Sequence, residues 1–121
     1  MKILLVSPNI ETLPDPVFHI GMACISATLK EHQIPVRLLD LCFSDDYETD
    51  ISMALREYKQ DVVGLSLRNV DNVSFPRYIS YLPFYQKIVD IIRKRSPATI
   101  VVGGSGYTLL PEEILAYIGA D

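Results

Sequence analysis

The chain has 121 residues, 49% of them hydrophobic, and a formal net charge of −4. That describes one domain with a single core, and it excludes a disordered segment. The mildly acidic balance also argues against a nucleic-acid partner, because phosphate binding needs a basic face.

The one basic cluster, Arg93, Lys94 and Arg95, fits the end of a helix, where cations complement the helix dipole. Cys24 and Cys42 have no metal-motif spacing and are too few for a disulfide framework, so a reducing compartment, the cytoplasm, is expected. The apolar run at residues 1–6 is far shorter than the core of a signal peptide and leads straight into Ser7-Pro8-Asn9. No stretch approaches membrane-spanning length.

Taken in order, the sequence alternates strand and helix. Residues 2–7 read as a buried strand closed by Pro8, which cannot continue a ladder. A loop of about a dozen residues follows, longer than most strand-to-helix connections. From residue 21 to 31, Ile20, Ala23, Cys24 and Ala27 have helical spacing, with small residues that let a helix lie close on a sheet. Residues 35–40, with Val36, Leu38 and Leu39, read as a second strand nearer an edge. Asp50, ahead of Ile51, Ala54, Leu55 and Tyr58, is expected to cap an amphipathic helix. The carboxylates Asp45, Asp46, Glu48 and Asp50 fit a solvated loop and helix start better than a metal site.

Residues 62–65, Val-Val-Gly-Leu, have no polar interruption and predict a central strand buried on both faces. Ser66, Leu67, Arg68 and Asn69 then fall at its carboxyl end, where ligands bind in an open parallel sheet. Ser, Asn and Asp there also serve as plain turn formers. The connection over residues 73–85 is rich in aromatics, and it is expected to pack partly in the core and otherwise to cover a ligand or face another domain. A helix carrying Ile88, Ile91 and Ile92 ends at Ser96-Pro97. Residues 98–102 form the fourth strand and break into Gly103-Gly104-Ser105-Gly106, where glycine permits close approach or positive φ. Pro111 opens a last helix that Gly119 stops.

Four strand–helix units in a row imply right-handed crossovers and a doubly wound, three-layer parallel sheet of flavodoxin-like (Rossmann-like) order 2-1-3-4, with a fifth strand short or missing. The chain stops where that fold usually starts another strand, so residues 1–121 are expected to be one domain of a longer protein.

The site must decide the function. Ser7-Pro8-Asn9-Ile10 stands where a dinucleotide fingerprint would need its glycines. Ser66 stands where a phosphate-accepting receiver domain would need a carboxylate, and the first loop is too proline-rich for a flavin phosphate site. Residues 63–72 and 102–115, two blocks at the ends of strands three and four, resemble the cobalamin-binding domains at the amino terminus of radical S-adenosylmethionine enzymes.

The resemblance implies that a corrin ring lies across the carboxyl edge, with its dimethylbenzimidazole tail inserted into the domain. Ser66 would hydrogen-bond that tail, Leu67 would pack nearby, and Gly103 and Gly104 would leave room for it. Arg68, Asn69, Ser105 and Thr108 would contact corrin amides or the nucleotide. Many cobalamin domains carry Asp-x-His-x-x-Gly with the histidine on cobalt. Here Asp15, His19 and Gly21 have the residue types but not the spacing, so cobalamin bound without a histidine axial ligand is expected.

Two cysteines cannot form the three-cysteine iron–sulfur motif of the radical chemistry. The resemblance therefore implies a non-catalytic module beside a barrel that carries a [4Fe-4S] cluster and S-adenosylmethionine. The parent would be a methyltransferase or an oxidative cyclase of the magnesium-protoporphyrin ester type. Two alternatives stand beside this: a degenerate docking or structural domain without cofactor, and a module for another nucleotide-like ligand held by residues 103–106.

Overall fold

A computed structural model describes residues 1–121. Four parallel strands, β1 (Ile3–Ser7), β2 (Val36–Asp40), β3 (Val62–Ser66) and β4 (Thr99–Gly103), form one sheet of order β2-β1-β3-β4. Helix α1 (Ile20–Glu31) covers one face, while α2 (Tyr47–Tyr58), α3 (Leu82–Arg95) and α4 (Pro111–Ile118) cover the other. This is the expected flavodoxin-like architecture. Two short 3-10 turns, Leu41–Phe43 and Tyr107–Leu109, shape the carboxyl edge.

The core is asymmetric. Leu4, Val6, Val63, Leu65 and Ile100 point to the three-helix face and pack with Ile51, Leu55, Ile88, Ile92, Ile114 and Ile118 in one cluster. Each such side chain contributes ~1.5–3 kcal/mol by burial. On the opposite face only Ile3, Leu5 and Met22 form a buried cluster, because α1 lies over β1 and β2 and leaves β3 and β4 bare.

The structure differs from three expectations, the first two because of that asymmetry. β3 is not buried on both faces: Val63 and Leu65 are buried, but Val62, Gly64 and Ser66 are half-buried. The buried side of α1 is Met22 and Ser26, not the Ile20, Cys24 and Ala27 stripe, since Ile20 is 71% exposed. The cap of α2 is Asp46, four residues earlier than expected: its carboxylate accepts from Thr49 N at 3.1 Å and Thr49 Oγ1 at 2.6 Å. Asp50 lies inside the helix. The basic cluster does end α3, where Arg95 pairs with Glu48 at 2.8 Å and Arg93 with Asp121 at 2.7 Å. Gly119 stops α4 in the left-handed conformation, φ 74°.

Candidate functional site

The bare half of the sheet forms an apolar groove of about 390 Å³ between α1 and the β3–β4 pair. Strand register builds it in layers: Val62 beside Thr99, Gly64 beside Val101, Ser66 beside Gly103. Ile3, Leu5, Met22 and Ile25 supply the other wall, and Ser66 is the only polar side chain among the 14 lining residues. At Gly103 an added Cβ would meet nothing within 4 Å, so the groove mouth is open there. At Gly64 it would meet Leu5 Cδ2 at 2.7 Å, so the floor is tight.

Leu67 is fully buried on the other face, in the main core. Its backbone is what reaches the site, because the loops after β3 and β4 are laced together through it. Leu67 N–H donates to Gly103 O at 2.8 Å, and Gly106 N–H donates to Leu67 O at 2.9 Å. Ser105 Oγ–H donates to Arg68 O at 2.9 Å, and Tyr85 O–H donates to Asn69 O at 2.7 Å. Gly104 makes this lacing possible: it has φ 102°, and a Cβ there would stand 2.8 Å from Leu67 N. Its need for glycine is thus met by the approach of two backbones. The Thr108 hydroxyl donates to Ser105 O at 2.8 Å, so it shapes the β4 loop.

Arg68 and Asn69 line a second hollow of about 370 Å³, between the loops after β1 and β3, with Glu11, Asp15 and Asp71. Arg68 makes no salt bridge. Asp71 and Asn72 are turn formers, as the plain reading had it: Asp71 accepts from Val73 N, and Asn72 binds Ile79 N and Arg77 O, each at 2.8 Å. The Tyr81 hydroxyl ties α3 to the β1 loop by donating to Glu11 at 3.0 Å, and burial and that carboxylate push its pKa up to about 12.

His19 precedes α1 with its Nε2 buried and unpartnered. Burial lowers its pKa against the opposing pull of Asp40. At the end of β1, Ser7 Oγ and Asn9 Nδ2 are likewise buried without partners, so this edge holds polar capacity that the protein does not use. The rim is apolar: Phe75, Val73, Leu13 and Phe18 are 98%, 89%, 81% and 76% exposed. Phe84 and Tyr85 instead pack inward, which splits the aromatic stretch between rim and core.

A larger hollow, about 690 Å³, lies at the opposite edge among Arg56, Lys59, Gln60 and Arg95. Its cations stand at helix carboxyl ends and are explained by the dipoles there. No helix is long and apolar enough to cross a membrane.

The groove was missed in the sequence because Gly64 and Val101 read as ordinary strand interior. The available signal was the period-2 alternation, which places 62, 64 and 66 with 99, 101 and 103 on one face.

Residues 6–121 match the family model described as B12 binding domain. The chain is similar to a tryptophan 2-C-methyltransferase from Streptomyces laurentii, 24% identical over 98% of this chain and 20% of that protein. It is also similar to solved structures of the radical S-adenosylmethionine methyltransferase TsrM from Kitasatospora setae. The form with tryptophan substrate and a SAM analogue bound superposes with a TM-score of 0.90 at 29% identity, over 98% of this chain and 22% of that one. The form with cobalamin and a [4Fe-4S] cluster bound gives 0.89 at 28% identity, over 100% and 22%. The chain thus spans about a fifth of the length of these relatives.

Proposed function

The chain belongs to the B12 binding domain family, and on that premise we propose that it binds cobalamin across the carboxyl edge of the sheet, with the dimethylbenzimidazole tail withdrawn from cobalt into the groove beside α1. The observation that carries this reading is the groove: apolar, open at Gly103, and bearing a single hydroxyl at its mouth. Ser66 would donate to a ring nitrogen of the tail, since a nitrogen taken out of water needs a partner. Arg68 and Asn69, in the second hollow, suit the amide groups around a corrin ring. Leu67, Gly104, Ser105 and Thr108 would serve by fixing the two loops that form the mouth.

The absence of a histidine ligand is part of the proposal. His19 Nε2 is closed off within the protein, so it reaches no metal above the crevice without rearrangement of the loop. Bound cobalamin supplies the cobalt centre, and the protein supplies binding and orientation.

The rest is proposed at the level of a longer parent. No three His, Cys, Asp or Glu side chains of the chain are grouped to hold a metal; a carboxyl-terminal barrel would carry the [4Fe-4S] cluster and S-adenosylmethionine. Methyl transfer is favoured over oxidative cyclisation because the similar solved structures are of a methyltransferase. The exposed rim of Leu13, Phe18, Val73 and Phe75 suits the surface that meets the barrel. A reducing cytoplasm suits both free thiols. A phosphate cradle at residues 103–106 is disfavoured, because Gly106 N–H and the Ser105 hydroxyl are already spent on the β3 loop.

The test is an absorbance titration with hydroxocobalamin on wild type and Gly103→Phe, with far-ultraviolet circular dichroism on both. Saturable binding with a spectrum of displaced benzimidazole, lost in a folded Gly103→Phe, is expected. No saturation at millimolar cofactor, or unchanged binding by the variant, would contradict the groove assignment.

A further inference from the structure

We propose that the groove also selects among corrinoids by their lower base, preferring the apolar dimethylbenzimidazole over a purine. This rests on the cobalamin reading above and goes beyond it, because it concerns which cofactor the site accepts.

The argument starts from depth. From the Ser66–Gly103 layer to the Val62 layer is four residues along β3, about 13 Å at strand rise. A fused bicyclic base entering past Ser66 puts its far edge against the Gly64–Val101 and Val62 layers. Leu5, Met22 and Ile3 face it there; Thr99, beside Val62, is exposed at the start of the edge strand and lies outside the groove lining, so no lining side chain at this depth is polar. Ile25 and Val101, 51% and 50% exposed, present apolar surface to a planar ring lying in the groove.

Dimethylbenzimidazole presents two methyl groups to those layers. Adenine presents an exocyclic amine and further ring nitrogens instead. Ser66, the one hydroxyl in the groove lining, stands at the mouth and serves the nitrogen nearest the corrin. The deeper polar atoms of a purine would lose water and gain no partner, a penalty that corresponds to a discrimination on the order of 10- to 100-fold.

The experiment compares dissociation constants, by absorbance titration, for hydroxocobalamin, the corrinoid with adenine as lower base, and cobinamide, which lacks the base. Wild type and Val101→Thr are both measured; the half-exposed position tolerates the added hydroxyl. Cobalamin at least tenfold tighter than the adenine corrinoid, cobinamide weaker than cobalamin, and a ratio narrowed severalfold in Val101→Thr would support the proposal. It is overturned if the two base-bearing corrinoids bind within twofold, or if the ratio is the same in Val101→Thr, while cobalamin binding itself stands. Failure of all three corrinoids to bind would remove the cobalamin reading and the selectivity together.

Discussion

Replacing Gly104 by alanine tests whether the loops after β3 and β4 meet backbone to backbone. The residue has φ 102°, and its new Cβ would stand 2.8 Å from Leu67 N and 3.0 Å from Leu67 C. The left-handed backbone costs ~1–2 kcal/mol for an L-residue. Leu67 cannot retreat freely, because its N–H is held by Gly103 O and its carbonyl by Gly106 N–H. Losing one of those bonds costs a further ~0.5–1.5 kcal/mol. The sum is about 2–3 kcal/mol, or on the order of 10 °C in Tm for a domain of this size. Two controls bracket it. Gly119→Ala has positive φ, 74°, and nothing within 4 Å, so it should lose only ~1–2 kcal/mol. Gly103→Ala has neither feature and should lie within ~0.5 kcal/mol of wild type or gain slightly from chain entropy. Urea unfolding followed by circular dichroism ranks the three. If Gly104→Ala proved as stable as Gly103→Ala, the close approach of the loops would be refuted.

Leu67→Ala should cost ~2–5 kcal/mol in urea unfolding, because the side chain is fully buried in the main core; an unchanged midpoint would contradict that placement. Stability should fall as pH rises above 10, since Tyr81 is raised to about 12 and burial raises Tyr85 further. The folded state holds those protons more tightly than the unfolded chain, so their stabilisation is complete below pH 10 and is lost through the folded pKa. Tyr85→Phe should flatten that decline in urea midpoint, and an identical slope would remove Tyr85 from the explanation.

Much of the fold was legible because the strands are short apolar runs that end at strong breakers. Pro8, Ser96-Pro97 and Gly103-Gly104 mark their boundaries, and four such units permit few topologies. The cap of α2 was misplaced because several carboxylates precede Ile51, and only the reach of Asp46 to Thr49 distinguishes them. The face of α1 was misread for a different reason. A stripe of small residues suggests close packing, but with half of the sheet uncovered the helix rests on Met22 and Ser26 and turns Cys24 and Ala27 outward. At the site, Ser66 and the glycine pair were visible as polar and flexible residues after strands. Their division of labour was not: Gly103 opens the groove and Gly104 joins the loops, a difference that lies in backbone direction.

The most direct test of the central claim is the electron paramagnetic resonance spectrum of cob(II)alamin bound to the chain, beside His19→Ala. A tail withdrawn into the groove and no histidine on cobalt predict cobalt hyperfine lines without nitrogen superhyperfine splitting, the same in both proteins. Threefold nitrogen splitting that vanished in His19→Ala would put that imidazole on cobalt, and splitting that persisted would leave the benzimidazole on cobalt and the groove empty.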